Sequence, residues 1–110
     1  MEVNLSDPWF DAVREGTKRV EGRIKRGKWS TVRVGDRWNI SSLRGETFSI
    51  KVLSIREYPS FEEYIVNEGL RNVLPGITDV SHGVKLYEQY CGKGADLESG
   101  VVAFEIEVMQ

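Results

Sequence analysis

Between Thr47 and Arg56 the apolar side chains alternate at Phe48, Ile50 and Val52, then change sides at Leu53 and Ile55. Successive side chains of a strand point to opposite faces, so a strand with one buried face absorbs such a switch only by bulging or bending. The pattern therefore predicts a bent barrel strand. Two further segments alternate. Gly100 to Val108 sets Val102, Phe104, Ile106 and Val108 against Val101, Ala103, Glu105 and Glu107. Thr17 to Ile24 sets Val20, Gly22 and Ile24 against Arg19, Glu21 and Arg23, a strand with one polar face. Around the Gly35-Asp36 turn, Thr31 to Val34 and Arg37 to Ser41 read as short strands of a hairpin.

Helical signals interrupt these strands. Asp7 is a plausible N-cap with Pro8 at the first helical position, and Trp9, Phe10 and Val13 form one stripe before Gly16, which predicts a helix over residues 8–15. Pro59-Ser60 opens a second over 60–68, with Phe61, Tyr64 and Ile65 inward. Leu70, Val73, Leu74 and Pro75-Gly76 read as an apolar turn. A third helix, over 79–91, carries Val80, Val84, Tyr87 and Cys91 at helical spacing with Leu86 and Tyr90 beside them. An exposed glycine-rich loop, Cys91-Gly92-Lys93-Gly94, follows it. Strands interrupted by a few helices give an α+β fold, a small partly closed barrel with about three helices packed over its ends. With no repeat or linker, residues 1–110 read as one domain, and a chain this size can build one core.

The catalytic vocabulary is sparse. Cys91 is the only cysteine, which excludes an internal disulfide and a cysteine-rich zinc site. His82 is the only histidine, and scattered carboxylates around it show no ligand spacing, so neither a metal nor a cofactor is expected. Ser81 and His82 are adjacent, and neighbours on a helix diverge by about 100 degrees, which suits helix-start polarity better than nucleophilic catalysis. Gly92-Lys93-Gly94 is too short for a phosphate loop. No apolar run is long enough for a bilayer, and Glu2, Asp7 and Pro8 stand where a signal peptide would be apolar. A monomer in a reducing compartment, the cytoplasm, is the expectation.

Charge is unevenly spread. Of 15 basic and 17 acidic residues, the segment Arg14 to Arg37 holds nine basic and three acidic ones, a balance of +6 against −8 for the rest. Such a segment attracts phosphates, or else forms a solvated hairpin protected from edge pairing. Within it, Glu21 and Arg23 point the same way from one strand. In a cleft, Lys18 and Arg23 would offer cations for phosphate or carbonyl oxygen, and Glu21 a carboxylate to hold an amino group or activate water. On a surface they would be an ordinary ion pair. Trp29 and Trp38 are available either for stacking on a base or for the core.

The octapeptide Gly16-Thr17-Lys18-Arg19-Val20-Glu21-Gly22-Arg23 resembles the Gly-x-Lys-x-x-Glu-x-Arg signature of the ASCH domain family, whose fold is a PUA-like pseudobarrel. Pro8-Trp9, Lys28-Trp29, Val34-Gly35-Asp36, Phe61-Glu62-Glu63, Val73-Leu74-Pro75-Gly76, Gly83-Val84 and Gly100-Val101-Val102-Ala103 extend the likeness to the small single-domain branch over nearly the whole chain. The resemblance implies a cleft lined by the motif and a function in binding RNA, other single-stranded nucleic acid or a nucleotide-like ligand. The ligand-binding residues would be Lys18, Glu21, Arg23, Lys25, Arg26, Lys28 and Trp29. One branch of the family hydrolyses the acyl amide of N4-acetylcytidine with the motif lysine, a threonine and a later acidic residue. Lys18 matches that lysine, but Glu21 replaces the threonine, and near the acidic position stand Ser81, with Asp79 and Glu88 displaced from it. The alternative function is therefore an amidohydrolase of a modified pyrimidine nucleoside, with Lys18 and Glu21 catalytic, or a nuclease like other relatives.

Overall fold

In the computed structural model, which describes residues 1–110, the side switch of the long central strand is a β-bulge. Strand β4 spans Thr47–Tyr58 and pairs antiparallel with β5, Val101–Val108. Val52 sits opposite Ile106 and Ser54 opposite Glu105, so Leu53 is the extra residue. The bulge lets Val52 on one side of it and Ile55 on the other pack into the same core. The sheet curls into a half-barrel. Its order is β1 (Glu2–Asn4), β3 (Arg37–Ser41), β4, β5 and β2 (Val20–Ile24), with β1 parallel to β3 and the other pairs antiparallel.

Two apolar cores follow from this curl. Phe10, Trp38, Ile40, Ile50, Val52 and Phe104 fill the inside of the half-barrel, where α1, Trp9–Glu15, also plugs in. Against the other face, Val20, Ile24, Val101 and Ala103 meet Phe61, Tyr64 and Ile65 of α2, Phe61–Glu68, and Tyr87 of α4, Val80–Cys91. Helix α3 is the single turn Leu70–Val73, and α5 is Ala95–Ser99. No helix is long and apolar enough to cross a membrane.

Several local expectations need correction. Thr31 to Val34 is not a strand: a 3-10 turn over Gly27–Ser30 precedes it, and the Asp36 carboxylate accepts from the Arg33 N–H at 2.9 Å to close a turn. The edge of β3 that such a strand would need is already taken by β1. Asp7 does not cap α1; Pro8 holds the cap position and Asp7 pairs with Arg44 at 2.8 Å. Thr17 to Arg19 lie outside β2 because the amides of Thr17 and Lys18 both donate to the Ala12 carbonyl, wrapping the chain around the end of α1. The apolar turn after Gly69 closes as α3. The glycine-rich loop leads into α5, whose buried Asp96 accepts from the Phe61 N–H at 2.8 Å and so satisfies an open donor at the start of α2.

Candidate functional site

Strand β2 positions the motif. Glu21 and Arg23 lie opposite Phe104 and Val102 of β5, on the face that lines the half-barrel, whereas Gly22 lies opposite Ala103 and faces α2. The polar face of the strand is therefore turned inward at the barrel mouth. Lys18, just before the strand, is 3% exposed and Glu21 6%. The Lys18 ammonium donates to the carbonyls of Val20 at 2.7 Å and Val73 at 2.6 Å, and its Nζ stands 3.7 Å from Glu21 Oε1. Arg23 Nη2 donates to Glu21 Oε2 at 3.3 Å. The carboxylate is thus held between two cations.

Burial pulls Lys18 below the ordinary lysine range, with Glu21 opposing and Arg23 assisting. Two carbonyl acceptors and the Glu21 carboxylate, 3.7 Å away, surround the group, and a neutral amine would turn its lone pair toward that carboxylate or give up a carbonyl. For Glu21, burial alone would raise the pKa, but Lys18 and then Arg23 outweigh it and the group ends below the usual carboxylate range. A carboxylate with a depressed folded-state pKa adds stability that is present above its unfolded value, about 4.3, and lost as pH falls through the folded value. In urea titrations from pH 7 to pH 2, the Glu21→Gln variant is expected to lose part of the acid-side decline that wild type shows below about pH 4.3. Superimposable profiles would mean that Glu21 titrates alike in both states.

Beside this triad opens a cavity of about 360 Å³. Leu74, Leu86, Tyr87 and Trp9 give it apolar walls, and the exposed side chains of Leu43 and Tyr90 stand at its rim. Lys18, Glu21 and Arg23 all line it, and Glu21 is the only carboxylate that does. The volume falls at the lower end of the roughly 300–1,000 Å³ of small-ligand sites, which combine apolar walls with a few placed polar groups in the same way. Arg23 uses one of its five N–H donors on Glu21, leaving others for a ligand oxygen.

The other residues singled out from the sequence lie elsewhere. Lys25, Arg26 and Lys28 are exposed and do not line the cavity, and Lys25 is paired with Glu57 at 2.6 Å. Trp38 is 1% exposed and belongs to the core. Trp29 packs on it with ring centroids 5.6 Å apart, while Arg23 and Lys28 sit 4.5 and 5.0 Å from the Trp29 ring. Trp29 thereby braces Arg23 from behind. Asp79 caps α4 by accepting from the Ser81 N–H at 2.8 Å, and Asp79, Ser81, His82 and Glu88 all lie off the cavity. No three His, Cys, Asp or Glu side chains cluster closely enough to hold a metal ion. Sequence reasoning placed Tyr87, Cys91, Leu86 and Tyr90 on one helix but assigned none of them to a site. Their paired i, i+4 spacing was the available signal, and it looks the same for a core stripe and a cavity wall.

The sequence profile of the ASCH domain matches residues 3–110. The chain belongs to the ASCH domain family. It is similar to the hypothetical protein PH0355, known from a crystal structure, at 35% identity over 98% of this chain and 97% of that one, with a TM-score of 0.86. Protein PF0455 from Pyrococcus furiosus, solved by NMR, is 32% identical over 99% and 96% of the two chains, with a TM-score of 0.80. The ASCH domain from Lactobacillus crispatus shares the fold at 14% identity, covering 97% and 79%, with a TM-score of 0.58. No curated protein matches the sequence. Membership in the ASCH family supports an RNA-binding type of domain in general terms.

Proposed function

We propose that this ASCH domain binds single-stranded RNA or a nucleotide by taking one unstacked base into the cavity beside Glu21, with phosphates held outside by the basic loop. The observation that carries the reading is the Glu21 carboxylate, fixed between Lys18 and Arg23 in an otherwise largely apolar cavity. A preset carboxylate suits an N–H edge of a base and repels a phosphate, so the base enters and the backbone stays at the rim. Trp9 and Tyr90 supply ring faces at the same opening. Arg26 and Lys28 are the loop cations without a carboxylate partner, whereas Lys25 is already paired with Glu57.

Hydrolysis of an acylated pyrimidine nucleoside draws on the proximity of Lys18 and Glu21 in the same cavity. Two features count against it. A carboxylate pulled below its usual range is a weak general base at neutral pH, and the Lys18 ammonium already donates to two backbone carbonyls. In this reading Lys18 is a positioning residue for Glu21.

Fluorescence titration of a single-stranded RNA octamer tests the proposal. Wild type is expected to bind with a steep salt dependence, and Arg26→Ala with Lys28→Ala is expected to reduce the log–log salt slope by roughly 0.7 for each phosphate contact removed. Glu21→Gln is expected to weaken binding by about 10-fold or more, since a hydrogen bond to a charged group contributes roughly 1.5–3 kcal/mol. An unchanged slope in the loop variant would remove the loop from the interface. Turnover of N4-acetylcytidine by wild type, lost in Glu21→Gln, would replace the binding function with hydrolysis.

A further inference from the structure

The hydroxyls of Tyr64 and Tyr87 are 2.8 Å apart, and their distance alone leaves open which one donates. Proton accounting decides it. Tyr64 is wholly buried, and the Tyr87 hydroxyl is the single partner of its own hydroxyl. If Tyr87 donated, the Tyr64 proton would be buried without an acceptor, at a cost that buried unsatisfied groups rarely bear. If Tyr64 donates, the Tyr87 oxygen accepts and the Tyr87 proton is left over. Tyr87 is 7% exposed and lines the cavity, so a partner for that proton can come from a bound molecule there.

Packing holds the pair in this orientation. The Tyr64 ring end lies directly over Gly22, its ring meets that of Tyr87 edge-on at 5.4 Å, and Tyr87 stacks on Phe61 at 5.2 Å. Burial, followed by the Glu21 charge, pushes the Tyr87 hydroxyl well above the ordinary tyrosine range, so it remains a protonated donor.

We propose that Tyr87 is a specificity-determining residue whose hydroxyl, oriented by Tyr64, forms with Glu21 a fixed donor and acceptor for one edge of a heterocyclic ring. The ring selected is one whose N–H stands next to a carbonyl oxygen or unprotonated ring nitrogen, the pattern of a nucleobase pairing edge. This inference rests on the base-binding function proposed above and adds what reads the base. A group with acceptors only is repelled by Glu21, and an apolar ring gives the Tyr87 proton no acceptor and Glu21 no further donor.

Two measurements test it. With tyrosine labelled at Cζ, in mixed H2O and D2O, the Tyr64 carbon is expected to show resolved isotope-shifted lines from a slowly exchanging hydroxyl, and the Tyr87 carbon a single averaged line. A slow hydroxyl on Tyr87 with a fast one on Tyr64 would reverse the donor assignment and overturn the inference. Calorimetry with the four common nucleoside 5′-monophosphates gives the second readout. Tyr87→Phe is expected to weaken the best-bound of them about tenfold and to compress the spread among the four, as expected when a hydrogen-bond donor to a base is lost. Tyr64→Phe, which keeps the Tyr87 hydroxyl but frees its rotation, is expected to cost less. No weakening of any of the four by Tyr87→Phe would make Tyr87 a packing residue and overturn this inference alone. No binding of any of the four by wild type would overturn the base-binding function and this inference with it.

Discussion

Lys18→Met is expected to destabilise the fold by about 3–5 kcal/mol, the range for stranding one member of a buried ion pair. Methionine fills a similar volume, so the loss isolates charge and hydrogen bonding rather than packing. Three groups are left wanting: the Val20 and Val73 carbonyls lose their donor, and Glu21 keeps only Arg23. Val20 belongs to β2 and Val73 to α3, so the ammonium is also a clasp between the motif strand and the turn after α2. Glu21→Gln is expected to cost less, because the amide oxygen still accepts from Arg23. If the pair is one coupled unit, Lys18→Met combined with Glu21→Gln falls short of the sum of the two by at least about 1 kcal/mol. Urea denaturation of the four proteins measures this. A Lys18→Met midpoint within error of wild type would show that the buried ammonium is dispensable.

The same contacts explain how far the site could be read from the sequence. Alternation along Thr17 to Ile24 put Glu21 and Arg23 on one face, and they do point the same way and touch. What alternation lacks is the sign of that face. It turned inward because β2 is the edge of a curled sheet whose concave side also holds Phe104 and Val102. Lys18 was legible as a charge but not as a buried one, since its burial depends on a carbonyl 55 residues away. Strand β1 has three residues, too few for a period to show, and its parallel docking on β3 removed the place that Thr31 to Val34 would have occupied. Helix α5 exposes Leu97 and buries Asp96, the reverse of an apolar stripe, because Asp96 serves the start of α2.

Charge shows a comparable gap between sequence and space. The +6 balance of Arg14 to Arg37 counts Arg14, which is paired with Asp11 and Glu46 at 2.7 Å each, and Lys25, which is paired with Glu57. Asp11, three residues before Arg14 on the same helix, falls just outside the segment counted, and Glu46 and Glu57 each stand 32 residues from the cation they pair with. The charge left unpaired is therefore smaller than the balance implies, and in this segment Arg19, Arg26, Lys28, Arg33 and Arg37 are the exposed cations with no carboxylate partner.

Gly22→Ala is expected to destabilise the protein by about 2–3 kcal/mol, the upper part of the range for overpacking a filled core. The cause is contact, not backbone conformation. A Cβ on residue 22 would lie 2.4 Å from Tyr64 Cζ and from its hydroxyl oxygen. A tyrosine at a chain surface would swing away, but Tyr64 is wholly buried, and its ring is set edge-on to Tyr87 with the hydroxyls bonded. Moving the ring by the required ångström breaks that bond or pushes α2 off the sheet. For a chain of this size such a loss corresponds to a fall in melting temperature of roughly 10–20 °C, readable by calorimetry. Tyr64→Leu removes the ring, so its combination with Gly22→Ala is expected to cost clearly less than the two single effects added together. Strict additivity would mean that Gly22 is required for something other than room for Tyr64. Since the displaced ring is the one that orients the Tyr87 hydroxyl, Gly22→Ala is also expected to flatten discrimination among the nucleoside monophosphates at temperatures where the variant is still folded.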